Sequence, residues 1–311
     1  MSVPPAESAA MVVRRSELTT PGSSMKMMEK AAGSDADEVM LDLEDAVAPS
    51  EKVESRAKIV DAIHEFDWEG KVISVRINDL NHPNAHGDLI EVVEGAGEHI
   101  DTIMVPKIER EQDVYMVEKL LSGIERDSDI ENTVGIEVLI EEVEALQRVD
   151  EIAATGERLE GLVLGFGDYS ASQGMNLESI GGANDYPGDV WHYHRNRVAV
   201  AARVNGIDAI DGPYGDFSDP EGYRMECERS HVLGFVGKWA IHPSQIEIAN
   251  DVYAPEPDEV EHAQRVVEAM EAGQAEGKGA VQLDGEMIDE ASIRKARETI
   301  DRARQIGMIE E

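Results

Sequence analysis

A chain of 311 residues with 41% hydrophobic side chains can bury one large core and leave residues over for an appendage. Its 65 acidic against 28 basic residues, a net charge of −37, exclude nucleic acid and anionic membrane as partners, and no apolar run approaches the ~20 residues that cross a bilayer. The single cysteine, Cys227, excludes an internal disulfide and a zinc cage.

The acidic residues are spread along the chain instead of gathering in a tail. Such a surface repels itself at low salt and is screened at molar salt, where the Debye length is ~3 Å. That pattern fits a folded, halophilic protein of a salt-loaded cytoplasm. Residues 1–12 read as a flexible arm without the basic-then-apolar pattern of a signal peptide, so a cytoplasmic protein is expected.

Eight short apolar runs then follow one another, at 16–20, 39–43, 72–77, 102–105, 134–140, 162–166, 209–210 and 235–241, with helix-like stretches between them. Pro21-Gly22 ends the first run, and Ser23 can cap a helix through Ala32. The second meets Glu44-Asp45, and Pro49-Ser50 opens a long helix. The third ends at Arg76 and the fourth closes on Pro106-Lys107. The fifth leads into a helix from Glu141, and the sixth stops at Asp168. Residues 172–189 form the longest irregular stretch, and loops of that length are usually functional. A helix over 190–204 follows. The seventh run ends at Asp211, and the eighth at Ile241-His242-Pro243, where Ser244 can start the last helix. Eight strand–helix units predict a (β/α)8 TIM barrel over 13–254. Residues 255–311 form a C-terminal helical extension, with helices over 258–272 and 290–306 and a connector ending in a short strand; it is free to cover a barrel mouth, its own or a neighbour's.

In such a barrel the chemistry sits where strands end. There the chain places Glu44, Asp45, Arg76, Lys107, Glu141, Asp168, Asp211 and His242. Glu141 and Asp168 end adjacent strands, ~4.8 Å apart, so both can grip one hard cation that keeps several waters, Mg2+ first and Mn2+ next. Each equally suits the start of a helix. Glu44-Asp45 read either as orienters of metal-bound water or as helix-start acids. Arg76 is a planar fork suited to a carboxylate or a developing enolate oxygen, or to a salt bridge with Glu44 or Asp45. Glu137 shares the strand parity of Glu141 and is expected inside the barrel. Cys227 reads as packing, and His192 and His194, two apart on a helix, do not face each other.

The segments 41–49 (LDLEDAVAP), 74–78 (SVRIN), 104–107 (MVPK), 138–141 (VLIE), 165–168 (GFGD) and 241–243 (IHP) resemble the citrate lyase β-subunit-like (HpcH/HpaI aldolase) family. Segments 211–219 (DGPYGDFSD) and 237–243 (GKWAIHP) resemble its L-malyl-CoA/β-methylmalyl-CoA lyase branch. The resemblance implies a Mg2+-dependent, reversible Claisen-type lyase that acts on an acyl-CoA thioester and yields glyoxylate. A malyl-CoA thioesterase, a citramalyl-CoA lyase and a non-catalytic CoA-binding barrel are the rivals. It implies Glu141 and Asp168 as metal ligands and Arg76 at the reacting carbonyl; Glu44 and Asp45, read above from their position, are counted with Arg76 among the catalytic candidates. It also implies that Thr19, Thr20, Lys26, Lys30, Gly167, Asp168, Ile241 and His242 line the substrate and CoA. Asp289, in the tail motif 285–289 (GEMID), would be a general acid/base reaching a neighbouring subunit, which implies a homo-oligomer, trimeric or hexameric. One departure is Ser24, where relatives can carry an arginine; Lys26 then has to supply the phosphate contact.

Overall fold

The computed structural model describes residues 12–177, 179–180, 186–275 and 277–309. Of the arm expected over 1–12 only Val12 is among them, and residues 178 and 181–185 of the 172–189 loop also lie outside them. Arg14–Tyr253 forms one compact unit, and the residues after Tyr253 build a second.

The first unit is a closed barrel of parallel strands in sequence order: β1 Ser16–Pro21, β2 Glu38–Asp42, β3 Val72–Arg76, β4 Thr102–Val105, β5 Gly135–Ile140, β6 Leu159–Leu164, β7 Asp208–Asp211 and β8 Gly237–Ala240, with β8 pairing back to β1. The strands are buried on both faces, which is why they read as continuous apolar runs and not as alternating ones. Around them lie α1 Met25–Ala32, α2 Lys52–Glu65, α3 Ala85–Ala96, α4 Glu111–Asp127, α5 Val143–Gln147, α6 Val149–Ala153, α7 Phe166–Gln173, α8 His192–Asn205, α9 Pro220–Val232 and α10 Ile246–Val252. This is the TIM barrel expected from the sequence.

Three local readings are corrected. Ser24, not Ser23, caps α1, its side chain accepting from the Met27 N–H. Glu141 precedes α5 by two residues and does not open it. The sixth strand begins at Leu159 and not at 162, because Glu160, too polar to read as strand, is taken up by Arg14 at 2.5 Å. Glu160 is also the extra residue of a bulge. Ile136 of β5 pairs with Leu159, but Glu137 pairs with Gly161, Leu139 with Val163 and Ile140 with Leu164.

The barrel interior is layered. At its floor Glu17, Glu38 and Glu137 are fully buried around one guanidinium, Arg14, which lies 3.1 Å from both Glu38 and Glu137. The Ser74 and Thr102 hydroxyls donate to Glu137, and neither carboxyl oxygen of Glu17 has a hydrogen-bond partner. Above lies an apolar layer of Met40, Met104, Leu139, Val163, Ile210 and Trp239. Burial, followed by the charge of Glu137, pushes the Glu17 carboxyl well above its ordinary range. A group whose pKa is raised on folding favours the folded state at low pH and loses that contribution as pH rises. Glu17→Gln therefore leaves the thermal midpoint nearly unchanged at about pH 4 and raises it relative to wild type at pH 7; a fall at pH 7 would show instead that Glu17 is an ion paired with Arg14.

In the second unit, α11 Pro257–Ala275 and α12 Glu290–Gln305 share an apolar cluster of Ala263, Val266, Ile288, Ala296 and Ile300. The expected single strand is an antiparallel hairpin, β9 Val281–Leu283 with β10 Glu286–Ile288. Its turn residues Asp284 and Gly285 both have positive φ, 51° and 92°, as a two-residue hairpin with the sheet's twist requires. Among the described residues no helix is long and apolar enough to cross a membrane.

Candidate active site

The inward-facing residues at the top of β2, β3 and β5 are Asp42, Arg76 and Glu141, one layer above the apolar belt. Asp42 holds the Arg76 fork from both sides, Nε to Oδ1 at 2.7 Å and Nη2 to Oδ2 at 2.6 Å. The third guanidinium nitrogen lies 3.2 Å from Glu44. Trp239 lies beside the fork, its ring centroid 5.4 Å from the guanidinium carbon, and its indole N–H donates to the Thr19 hydroxyl. Arg76 is thus held rigidly and nearly dry. Burial pushes Asp42 up, but the Arg76 charge and hydrogen bonds, with the Glu44 and Ala46 N–H groups, hold it below the usual carboxylate range.

Asp42 is the site residue the sequence reading missed. The available signal was an acid within an otherwise apolar strand, two residues from Met40 and so on the same face. Of the alternatives open for Arg76, a carboxylate pairing is observed, with Asp42 as the main partner and Glu44 the second. Glu44 is buried; Asp45, beside it, is exposed.

Lys107 bridges to the acids on the other side. Its ammonium lies 2.5 Å from Glu44, 3.5 Å from Asp45 and 4.0 Å from Asp168, while its backbone N–H donates to Glu141 at 2.9 Å. Glu141 is almost fully buried. Burial, then the charges of Glu44 and Asp168, push its carboxyl up to about 8. Asp168 stands in the first turn of α7, half-exposed. The structure therefore brings together Glu44, Asp45, Arg76, Lys107, Glu141 and Asp168. It does not bring in Asp211, which on β7 follows the inward Ile210 and is fully buried against Arg195 and Lys238.

The donor set fits a hard divalent ion. Glu141 and Asp168 offer oxygen only, and among the described residues no three His, Cys, Asp or Glu side chains form a cage. Two carboxylates that leave the remaining positions to water and substrate suit Mg2+. Gly165, one residue beyond the paired Leu164, makes room for Glu141: a Cβ there would lie 2.5 Å from the Glu141 Cβ and 2.4 Å from Oε2. Gly165→Ala is expected to evict Glu141, costing about 1–3 kcal/mol of stability and the divalent-ion affinity, read by thermal unfolding with and without MgCl2. Unaltered stabilisation by the ion would remove Glu141 from its binding.

The residues expected to line the substrate are placed as follows. Thr19 and Thr20 lie on β1, and Lys26 and Lys30 are exposed on α1. Gly167 precedes Asp168, and Ile241 and His242 are exposed after β8. The His242 ring stacks on Phe217 with centroids 4.7 Å apart. Asp289 lies in the second unit as the N-cap of α12, exposed. Backbone N–H groups of Ser292 and Ala291, with the Ser292 side chain, hold it below its ordinary range. That direction is opposite to the raised pKa an acid/base role calls for, and it belongs to the lone chain. Cys227 is buried with its thiol pushed up to about 12 by burial, which fits packing and not chemistry.

Comparison with known proteins gives the family and the fold. Residues 15–243 match the family described as HpcH/HpaI aldolase/citrate lyase, and residues 185–308 match the C–C bond lyases of the TIM-barrel fold. The L-malyl-CoA/β-methylmalyl-CoA lyase of Cereibacter sphaeroides is 42% identical over 94% of this chain and 95% of its own length. A (3S)-malyl-CoA thioesterase of the same species is 33% identical over the same shares of both chains. The protein CitE of Mycobacterium tuberculosis, solved with magnesium, acetoacetate and coenzyme A, superposes with a TM-score of 0.73 at 28% identity, covering 93% of this chain and 97% of its own. The chain belongs to the HpcH/HpaI aldolase/citrate lyase family and is a carbon–carbon lyase on a TIM barrel.

Proposed function

We propose that the enzyme cleaves β-methylmalyl-CoA and L-malyl-CoA reversibly to glyoxylate plus propionyl-CoA or acetyl-CoA, with Mg2+ held by Glu141 and Asp168. The observation that carries this reading is the fixed Arg76 fork beside a carboxylate pair on one barrel rim. The similar lyase of Cereibacter sphaeroides, and the magnesium and coenzyme A in the CitE complex, support it.

Magnesium bound there supplies Lewis-acid polarisation of the hydroxyl that becomes the glyoxylate carbonyl. Arg76 donates to the thioester oxygen as the C–C bond breaks and enolate charge develops on it. Asp42 and Glu44 hold the fork so that little reorganises at that moment. In cleavage the hydroxyl proton passes to solvent as the carbonyl forms, and Asp289 of a second copy donates a proton to the enolate carbon. Closure over the site would dry that carboxyl and reverse the lowered pKa it has in the lone chain. Thr19, Thr20, Lys26, Lys30, Gly167, Ile241 and His242 line the ester. The active enzyme is a homo-oligomer, and its acidic surface is built for a salt-loaded cytoplasm.

The test is a cleavage assay in about 2–3 M KCl with MgCl2, scoring glyoxylate and free thiol separately. Glyoxylate without free thiol establishes the lyase; free CoA without glyoxylate makes the chain a thioesterase, as its 33% identical relative is named. Asp289→Ala is expected to abolish turnover while Mg2+ and CoA-ester binding persist, and unchanged turnover would take Asp289 out of the reaction.

A further inference from the structure

Lys107 occupies an uncommon backbone conformation for its residue type. It stands directly after Pro106 with φ +50°, one of three non-glycine residues with positive φ among the described residues, beside Asp129 and Asp284. Those two lie in turns, whereas Lys107 lies at the top of the barrel. A side chain in the left-handed region is strained and persists only where its surroundings impose it. Here the conformation does two things at once. It turns the backbone N–H onto Glu141, and it sends the ammonium among Glu44, Asp45 and Asp168. Pro106 has no N–H, so Lys107 carries the first backbone donor after β4 that can reach Glu141.

The charge balance of the rim gives the ammonium its meaning. Five carboxylates, Asp42, Glu44, Asp45, Glu141 and Asp168, face two cationic side chains, Arg76 and Lys107. Arg76 is engaged by Asp42 and Glu44. Lys107 is the cation within reach of Asp168, one of the two carboxylates assigned to the metal.

We propose that Lys107 is a built-in counter-cation for the metal site: its ammonium offsets part of the rim's negative charge when no metal is bound, and by repelling a divalent ion it sets the metal affinity to a loose value. This rests on the reading of Glu141 and Asp168 as metal ligands. The role is one of positioning and charge; the Lys107 backbone orients Glu141 whatever its side chain carries, so the two contributions separate by substitution.

The test titrates MgCl2 calorimetrically into the metal-free full chain, as wild type, Lys107→Met and Lys107→Arg in one buffer. Lys107→Met is expected to bind Mg2+ about tenfold more tightly, the order set by removing one unit charge a few Å from a divalent ion. Lys107→Arg should match wild type. The thermal midpoint of metal-free Lys107→Met should fall, and saturating MgCl2 should close the gap, which loss of a merely structural contact would not do. Lys107→Gln, which keeps a donor for Glu44, carries the same test should the methionine variant fail to fold. Equal or weaker binding by the uncharged variants, with wild type binding normally, overturns this inference and leaves the metal reading standing. No uptake of Mg2+ by wild type overturns the metal reading itself, and this inference with it.

Discussion

Glu141→Gln is expected to lower turnover by about 10³-fold and to abolish stabilisation by MgCl2, while the barrel stays folded. The several kcal/mol of Lewis-acid stabilisation are lost with the ion, and the isosteric amide still fits beside Gly165 and still accepts from the Lys107 N–H. The pH dependence in wild type follows from the same carboxyl. In the metal-free site Glu141 is pushed up to about 8 by its burial and by Glu44 and Asp168, so at pH 7 Mg2+ has to displace a proton. Apparent Mg2+ affinity therefore rises with pH up to about 8 and then levels off. Stability moves the other way in the metal-free protein. The raised pKa favours folding at low pH, and that contribution is lost as pH rises from the ordinary glutamate range through about 8. Calorimetric titration at pH 6, 7, 8 and 9, with melting curves in EDTA, checks both slopes. A flat affinity profile would mean that Glu141 is already ionised without the metal.

The second large effect belongs to Arg76. Arg76→Lys is expected to lower kcat by ~10²–10³-fold with little change in KM, because the lost donors act on charge that exists only in the transition state. A lysine keeps the charge but cannot hold Asp42 through two nitrogens while presenting a third donor to substrate. Arg76→Met should in addition cost about 3–5 kcal/mol of stability, since it leaves Asp42 buried and unpaired. Steady-state kinetics and denaturant melts separate the two variants. A KM effect alone would place Arg76 in ground-state binding.

The barrel was legible because its strands are apolar runs at regular intervals, and the rim residues because each run ends in a polar one. Parity decided what went astray. Asp211 ends its strand as Glu141 does, but Ile210 takes the inward position, so Asp211 turns to Arg195 and Lys238. Asp42 is the last residue of β2, but it lies one residue inside the apolar run read over 39–43 and was passed over, although Met40 marks its face. Glu160 hid the start of β6, because a part-buried ion pair with a residue 146 positions away leaves no local trace. The position of Lys107 was readable, but not its left-handed backbone, which the surrounding carboxylates impose.

The part of β6 beyond the bulge at Glu160 links two regions that serve different ends. Above it, Gly161, Val163 and Gly165 take the inward positions of β6, so that a glycine faces Glu137 at the floor and another faces Glu141 at the mouth. Strand faces alternate strictly, so a one-residue deletion between Gly161 and Gly165 would leave only one of the two glycines opposite its glutamate, whereas loss of the bulge residue itself would leave the pairing above it unchanged. Floor and mouth are therefore tied together by the length of strand between Gly161 and Gly165: insertions can accumulate in the loops without touching either, whereas a one-residue change within that span sets the acidic floor against the carboxylates of the rim.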